Sequence, residues 1–155
     1  MMKIMLDDLD RRILRHLQHD PAIATGDLAD SAGTTPAVCS RRLARMRDRG
    51  ILKGQEAVIN WTALGFSVHV SLRFSLDKTQ TNAFDIFIRE AKNVPEVLEI
   101  QTFLGRVDVR LVMIARDMAH YQHLYRTRIL TLPHIADIEA LVHVASIKAD
   151  EVLPI

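Results

Sequence analysis

From Leu6 to Asp20 the apolar residues Leu9, Ile13, Leu14 and Leu17 recur at helical spacing and form one stripe, with charged residues elsewhere. Asp7 and Asp8 suit the positive end of such a helix, and Asp20-Pro21 stops it. A short second helix is predicted with Thr25 as its N-cap, Leu28, Ala29 and Ala32 facing inward, and Gly33 closing it. A third starts at once. Thr35 is its N-cap, and Pro36 takes the first helical position, where a missing N–H costs nothing. It runs to Arg49, and Gly50 ends it. Three helices, the last two joined by a tight glycine-containing turn, make a helix-turn-helix candidate.

After Ile51 the period changes. Phe66, Val68, Val70, Leu72, Phe74 and Leu76 alternate with Ser67, His69, Ser71, Arg73 and Ser75, the pattern of a half-buried strand. Helical spacing returns over 80–93 through Phe84, Phe87, Ile88 and Ala91. Strands are predicted at 97–104 and 107–115, with Gly105 between them. A helix over 117–130 uses Met118, Tyr121, Leu124 and Tyr125, and a last strand covers 135–147. The order β-α-β-β-α-β is that of a ferredoxin-like unit. The fold class is therefore α+β: a helix-turn-helix domain over 1–53, a linker strand over 54–65, and a ferredoxin-like domain over 66–155. Trp61 is expected to seal the junction between the domains.

Composition narrows the function. With 48% hydrophobic residues, the 155-residue chain can bury a core. Its single cysteine, Cys39, excludes an intramolecular disulfide framework and reads as a small buried residue. The N-terminal segment lacks the apolar run of a signal peptide, and no stretch approaches the ~20 apolar residues of a membrane span. A soluble cytoplasmic protein without membrane association is expected. No phosphate loop and no Ser/His/Asp set is evident, so no enzyme and no cofactor are expected. His120 and His123 share a helix face but have no acid or thiol nearby to complete a metal site.

The formal net charge is only +1, yet the charge is unevenly spread. Residues 1–60 hold 10 Lys/Arg against 8 Asp/Glu, and residues 61–155 hold 10 against 11. The helix over 35–49 carries Arg41, Arg42, Arg45, Arg47 and Arg49 against Asp48 alone. Cys39, Leu43 and Met46 share one face of it; Ala37, Ser40, Arg41, Ala44 and Arg45 point the other way. Small residues between arginines let a backbone come close, and such a face can enter the ~12 Å wide major groove of DNA. Arginine forks match guanine edges and phosphates bidentately. The candidate DNA contacts are Ala37, Ser40, Arg41 and Arg45 in the groove, with Thr35 and Arg42 nearer phosphates.

These segments taken together, LDDLDRRILRHLQHD, then DLADSAGTTPAVCSRRLARMRDRGIL, then the β-α-β-β-α-β order and the closing LPI, resemble the Lrp/AsnC family of bacterial and archaeal transcription regulators. The resemblance covers essentially the whole chain. It implies double-stranded DNA as a partner and a second domain that binds an amino acid between dimers. It also implies dimerisation by sheet-to-sheet contact and larger rings, often octamers. The apolar face of the 66–76 strand and the last strand independently predicts that residues 61–155 dimerise.

The family's ligand loop reads Gly-Asp-X-Asp-Tyr. Here it is Gly105-Arg106-Val107-Asp108-Val109, and near the end of the last strand Val144-Ala145-Ser146-Ile147-Lys148 lacks a carboxylate. The expected effector site is Leu104, Gly105, Arg106, Val107 and Asp108. Glycine frees φ and exposes main-chain N–H groups, Arg106 offers a fork to a carboxylate, and Asp108 takes an ammonium or pairs with an arginine. The exchange of an acid for Arg106 favours an effector with an extra acidic group. Two other readings are an architectural DNA-binding protein without an effector, and an enzyme like the siroheme decarboxylases. The enzyme reading lacks the His/Tyr-rich middle strand, since EIQTFLGRVDVRLVM has neither residue.

Overall fold

A computed structural model describes residues 5–149 and 151–155. The chain divides into two compact units, one made of the segments 1–58 and 148–155, the other of 59–147. Among the described residues no helix is long and apolar enough to cross a membrane.

The first unit holds α1 (Asp8–His19), α2 (Thr25–Ala32) and α3 (Pro36–Asp48). Asp7 caps α1 in a reciprocal box: its side chain takes the Asp10 N–H at 2.9 Å, and the Asp10 carboxylate takes the Asp7 N–H at 3.4 Å. Thr25 is the first residue of α2 rather than its cap. Ala24 occupies the cap position with extended backbone and no side-chain bond, and its carbonyl already accepts the Leu28 N–H at 2.9 Å. Gly33 at φ 71° turns the chain between α2 and α3, and the Thr34 N–H returns to the Ala29 carbonyl at 2.9 Å. That left-handed cap makes the tight turn possible. Ile13, Leu14, Leu28, Ala29, Ala32, Cys39, Leu43 and Met46 form the core.

Residues 148–155, expected in the second domain, belong to the first unit. The Gln18 amide explains their destination. Its Nε2 donates to the Leu153 carbonyl at 3.1 Å, and its Oε1 accepts the Leu153 N–H at 2.9 Å. Arg15 Nε donates to the Ile155 main-chain oxygen at 2.8 Å. Ile155 packs on the helical core, and Leu153 and Ile155 help line a cavity of about 410 Å³ with Leu14, Leu17, Ile51 and Leu52.

The expected linker strand over 54–65 is not a strand. Residues 61–65 form turns, with the Leu64 and Phe66 N–H groups both returning to the Trp61 carbonyl at 3.1 Å. Asn60 Oδ1 accepts the Ala63 N–H at 3.1 Å and holds the start of that turn.

The second unit follows the expected order with shorter elements: β1 (Val68–Leu76), α4 (Ala83–Ala91), β2 (Val97–Thr102), β3 (Val109–Ala115), α5 (Met118–Leu124) and β4 (Ile135–Val142). The sheet is antiparallel in the order β2-β3-β1-β4. Val70, Leu72 and Phe74 of β1 pair in register with Met113, Leu111 and Val109 of β3. These six side chains are fully buried with Phe87 of α4, and Phe74 and Phe87 meet at 4.9 Å between ring centres. Burial of each such large side chain stabilises by roughly 1.5–3 kcal/mol.

α5 passes into one π turn, Tyr125–Ile129, where the Leu130 N–H bonds the Tyr125 carbonyl at 2.8 Å. The reason is spacing. Leu124 and Ile129 are both buried, and five residues fall on one side of a helix only if a wider turn absorbs the excess.

Candidate nucleic-acid interface and effector hairpin

Thr35 starts α3, its Oγ1 accepting the Val38 N–H at 3.3 Å. Cys39, Leu43 and Met46 are buried beneath the helix, and burial raises the Cys39 thiol above its ordinary pKa. Ala37, Ser40, Arg41 and Ala44 are exposed along its outer side. Arg41, Arg47 and Arg49 have no carboxylate partner among the described residues.

The other two arginines do have acids, supplied from α1 rather than from their own segment. Arg42 Nη1 donates to an Asp7 carboxylate oxygen and, at 3.2 Å, to Asp10 Oδ1. Arg45 Nη2 donates to Asp10 Oδ2 at 2.6 Å. Asp10 is wholly buried, an unusual place for a lone acid and a good one for an acid held by two guanidiniums. Asp7 is pulled down to a pKa of about 2, first by the Asp10 N–H and then by Arg42. Its bond to Asp7 in turn raises Arg42. So Arg42 and Arg45, expected as DNA contacts, fasten α3 to α1 with part of their forks. Only Nη2 of Arg45 is engaged among the described residues, and its side chain keeps 38% exposure.

In the second unit, residues 103–108 connect β2 to β3, with the Phe103 N–H bonded to the Asp108 carbonyl at 3.0 Å. Gly105 sits at φ 148°, which L side chains rarely adopt. Leu104 and Arg106 are exposed, and the Arg106 carbonyl accepts from Ser75 Oγ at 2.7 Å. Asp108 faces the other way. Its Oδ2 takes the Leu76 N–H at 2.8 Å, and its Oδ1 lies 3.2 Å from Lys78 Nζ. The carboxylate expected to receive an ammonium is thus tied to the end of β1. It lines a cavity of about 270 Å³ with Lys78, Gln80, Asn82 and Phe84. Lys78 and Asn82 gave no signal in the sequence because they stand in the irregular segment before α4, and Phe84 read only as part of that helix's apolar stripe.

The sheet face away from the core carries His69, Ser71, Arg73 and Ser75 of β1 and Arg110, Val112 and Ile114 of β3. His69 stacks on His143 at 3.8 Å between ring centres, and Trp61 meets His69 edge-on at 5.3 Å. Burial, then His143, then Arg110, lower the His69 pKa. His120 is spent within its own turn, Nδ1 accepting the Arg116 N–H at 3.1 Å.

Residues 6–47 match the AsnC-type helix-turn-helix domain, and residues 69–153 match the Lrp/AsnC ligand binding domain. The chain belongs to the Lrp/AsnC family of transcriptional regulators. This Lrp/AsnC chain is 30% identical over 154 residues to the DNA-binding transcriptional activator DecR of Escherichia coli (strain K12), covering 97% of this chain and 99% of that protein. It is 29% identical over 143 residues to the leucine-responsive regulatory protein of Haemophilus influenzae, covering 92% and 86%. A transcriptional regulator of Neisseria meningitidis solved in complex with L-Met superposes with a TM-score of 0.89 at 25% identity, covering 97% of each chain. An AsnC family regulator from Agrobacterium tumefaciens gives 0.85 at 29% identity, covering 96% of this chain and 97% of that one. These likenesses favour a regulator over the enzyme and architectural readings.

Proposed function

We propose that the chain is a cytoplasmic, sequence-specific DNA-binding regulator, modulated by an amino acid or related small acid, without a catalytic step of its own. The observation that carries the reading is the outer side of α3. Ala37, Ser40 and Ala44 leave room around an unpaired Arg41, while Arg42 and Arg45 hold the helix from behind. Arg41 is the base reader, Ser40 and Ala37 lie against base edges, and Arg45 uses its free donors beside them. The Thr35 end of the helix faces a phosphate. The apolar side of β1 that predicted a dimer is covered by α4 and α5 of its own unit, so the pairing surface is taken to be the opposite sheet face; a dimer there supports a two-fold operator with half-sites about one helical turn apart, and dimers assemble further, up to an octamer. The effector lies at the 104–108 hairpin. One structural relative is a complex with L-Met; Arg106 favours a ligand with an added carboxylate here.

The test is operator selection followed by fluorescence anisotropy. Arg41→Ala is expected to reduce discrimination at one base position by about 1–3 kcal/mol while the melting curve stays in place. Unchanged discrimination would remove α3 from the reading position.

A further inference from the structure

The sheet face away from the core divides into two halves. Toward one end it carries both signs of charge: Arg73 bonds Glu139 at 3.3 Å, and Arg110 lies 3.7 Å from Glu99. Toward the other it holds no permanent charge. Ser71 stands between its register partners Val112 and Leu141. His69 stands between Ile114, its partner on β3, and His143, whose N–H donates to the His69 carbonyl at 2.8 Å. Leu141 and His143 are exposed there. Such a face suits a second copy of itself, because a two-fold axis can set patch on patch and each sign on its opposite. The two imidazoles are stacked, 3.8 Å between ring centres and 27° between planes, with Trp61 edge-on to His69. Neither has a carboxylate partner among the described residues. The charged groups around them are cations or are already engaged. Arg110 on β3 opposes a charge on His69, and Arg116, just past β3, has no carboxylate partner among the described residues. Glu139 on β4 is bound to Arg73, and Glu99 on β2 is turned to Arg110. A first proton on the stack is therefore repelled by Arg110, and a second is repelled by the first. In a single protomer the outer edge of the stack is open to water, which solvates a charge; beneath a second copy that water is gone.

We propose that the stacked His69–His143 pair makes the association of two copies across this face pH-dependent, the dimer holding at neutral pH and loosening as the imidazoles take protons. The inference rests on the sheet-face pairing put forward above. Linkage fixes the sign: separated protomers bind more protons than the dimer, so a falling pH favours separation. Take one imidazole per protomer that titrates near the ordinary value of about 6.5 when apart and stays neutral when paired. It raises the dimer Kd about tenfold between about pH 7.5 and about pH 5.5, and the two protomers together raise it about a hundredfold. Burial, His143 and Arg110 already lower His69 within one protomer, which trims the difference. The expected rise is therefore at least about tenfold.

The experiment is energy transfer between donor- and acceptor-labelled full chains, diluted at each pH to read the monomer–dimer constant. Kd is expected to rise at least about tenfold from about pH 7.5 to about pH 5.5, while far-ultraviolet circular dichroism stays unchanged. His69→Phe combined with His143→Phe keeps two aromatic rings and removes both titrating groups. That double variant is expected to dimerise with the same Kd at both pH values. A second measurement needs no substitution: the imidazole proton resonances of the unmodified chain are followed through pH at low and high protein concentration. By the same linkage, the midpoints of the paired histidines should move to lower pH as concentration rises. Three results overturn the inference alone: a dimer whose Kd is the same at both pH values, a double variant that keeps the full pH dependence, or midpoints independent of concentration. A chain that is monomeric at every pH and concentration overturns the sheet-face pairing itself, and the inference with it.

Discussion

Replacing Asp10 by alanine tests whether α3 is held by charge. The carboxylate is fully buried and accepts from Arg42 Nη1 at 3.2 Å, Arg45 Nη2 at 2.6 Å and the Asp7 N–H at 3.4 Å. A hydrogen bond to a buried charged group contributes about 1.5–3 kcal/mol. The Arg42 and Arg45 side chains are 22% and 38% exposed, however, and turn to water when the acid is gone. That recovers much of the loss and leaves about 1 kcal/mol for each pair. The long backbone bond to Asp7 and the small void left by the side chain add about 0.5–1 kcal/mol together. The expected cost is therefore about 2–3 kcal/mol, a fall of roughly 10–20 °C in the midpoint of a unit of this size. The assay is thermal melting of the full chain by far-ultraviolet circular dichroism, with amide exchange at Leu43 and Met46 to place the loss in α3. A cycle with Arg45→Met should return a coupling of about 1 kcal/mol. A loss below about 0.5 kcal/mol, or zero coupling, would refute the argument and free Arg45 entirely for DNA.

Asp7 gives a pH signature. Its carboxyl titrates at about 2 in the folded chain against 3.8 ordinarily, so its contribution is complete above about pH 4 and is lost as pH falls from there toward 2. The gap in urea midpoint between the unmodified chain and Asp7→Asn should be constant from pH 7 to 5 and shrink steadily from about pH 4 through pH 2; a gap as wide at pH 2 as at pH 5 contradicts the assignment. Leu153→Asp puts a charge against the Leu14, Leu17 and Ile51 lining. It should lower the melting midpoint and raise amide exchange in α1, while exchange at Leu72 and Met113 in the second unit stays unchanged; equal exchange in α1 would show that the Leu153 side chain contributes nothing to that packing.

Periodicity made most of the fold readable. The switch from helical spacing in 6–49 to alternation in 66–76 separates the two architectures, and local cap residues place α3 within a residue or two. What escaped depends on partners distant in sequence. Asp10 lies 35 residues before Arg45, and nothing in the arginine-rich segment announces it, so the segment reads as uncompensated charge. Asp108 looks like a ligand carboxylate because the strand end it ties, at Leu76, lies 32 residues earlier. The π turn hides because Met118 and Tyr125 offer a plausible α-helical stripe, although Met118 is 46% exposed and Ile129 carries the burial. The outer side of α3 was legible because it depends only on one helix and its own spacing.

The clasp of Gln18 and Arg15 on Leu153 and Ile155 sets a timetable for biosynthesis. Its bonds span 135 and 140 residues of sequence. The three N-terminal helices are translated first, yet the hydrophobic surface around Leu14 and Leu17 lacks its cover until all of residues 59–147 and the closing segment have been made. Contacts of such long range form slowly, because the intervening loop must close before they return any stability. A nascent chain therefore has time to complete its second unit before its first is sealed, and a message truncated before codon 153 yields a protein whose sheet is whole and whose N-terminal helices lack their clasp.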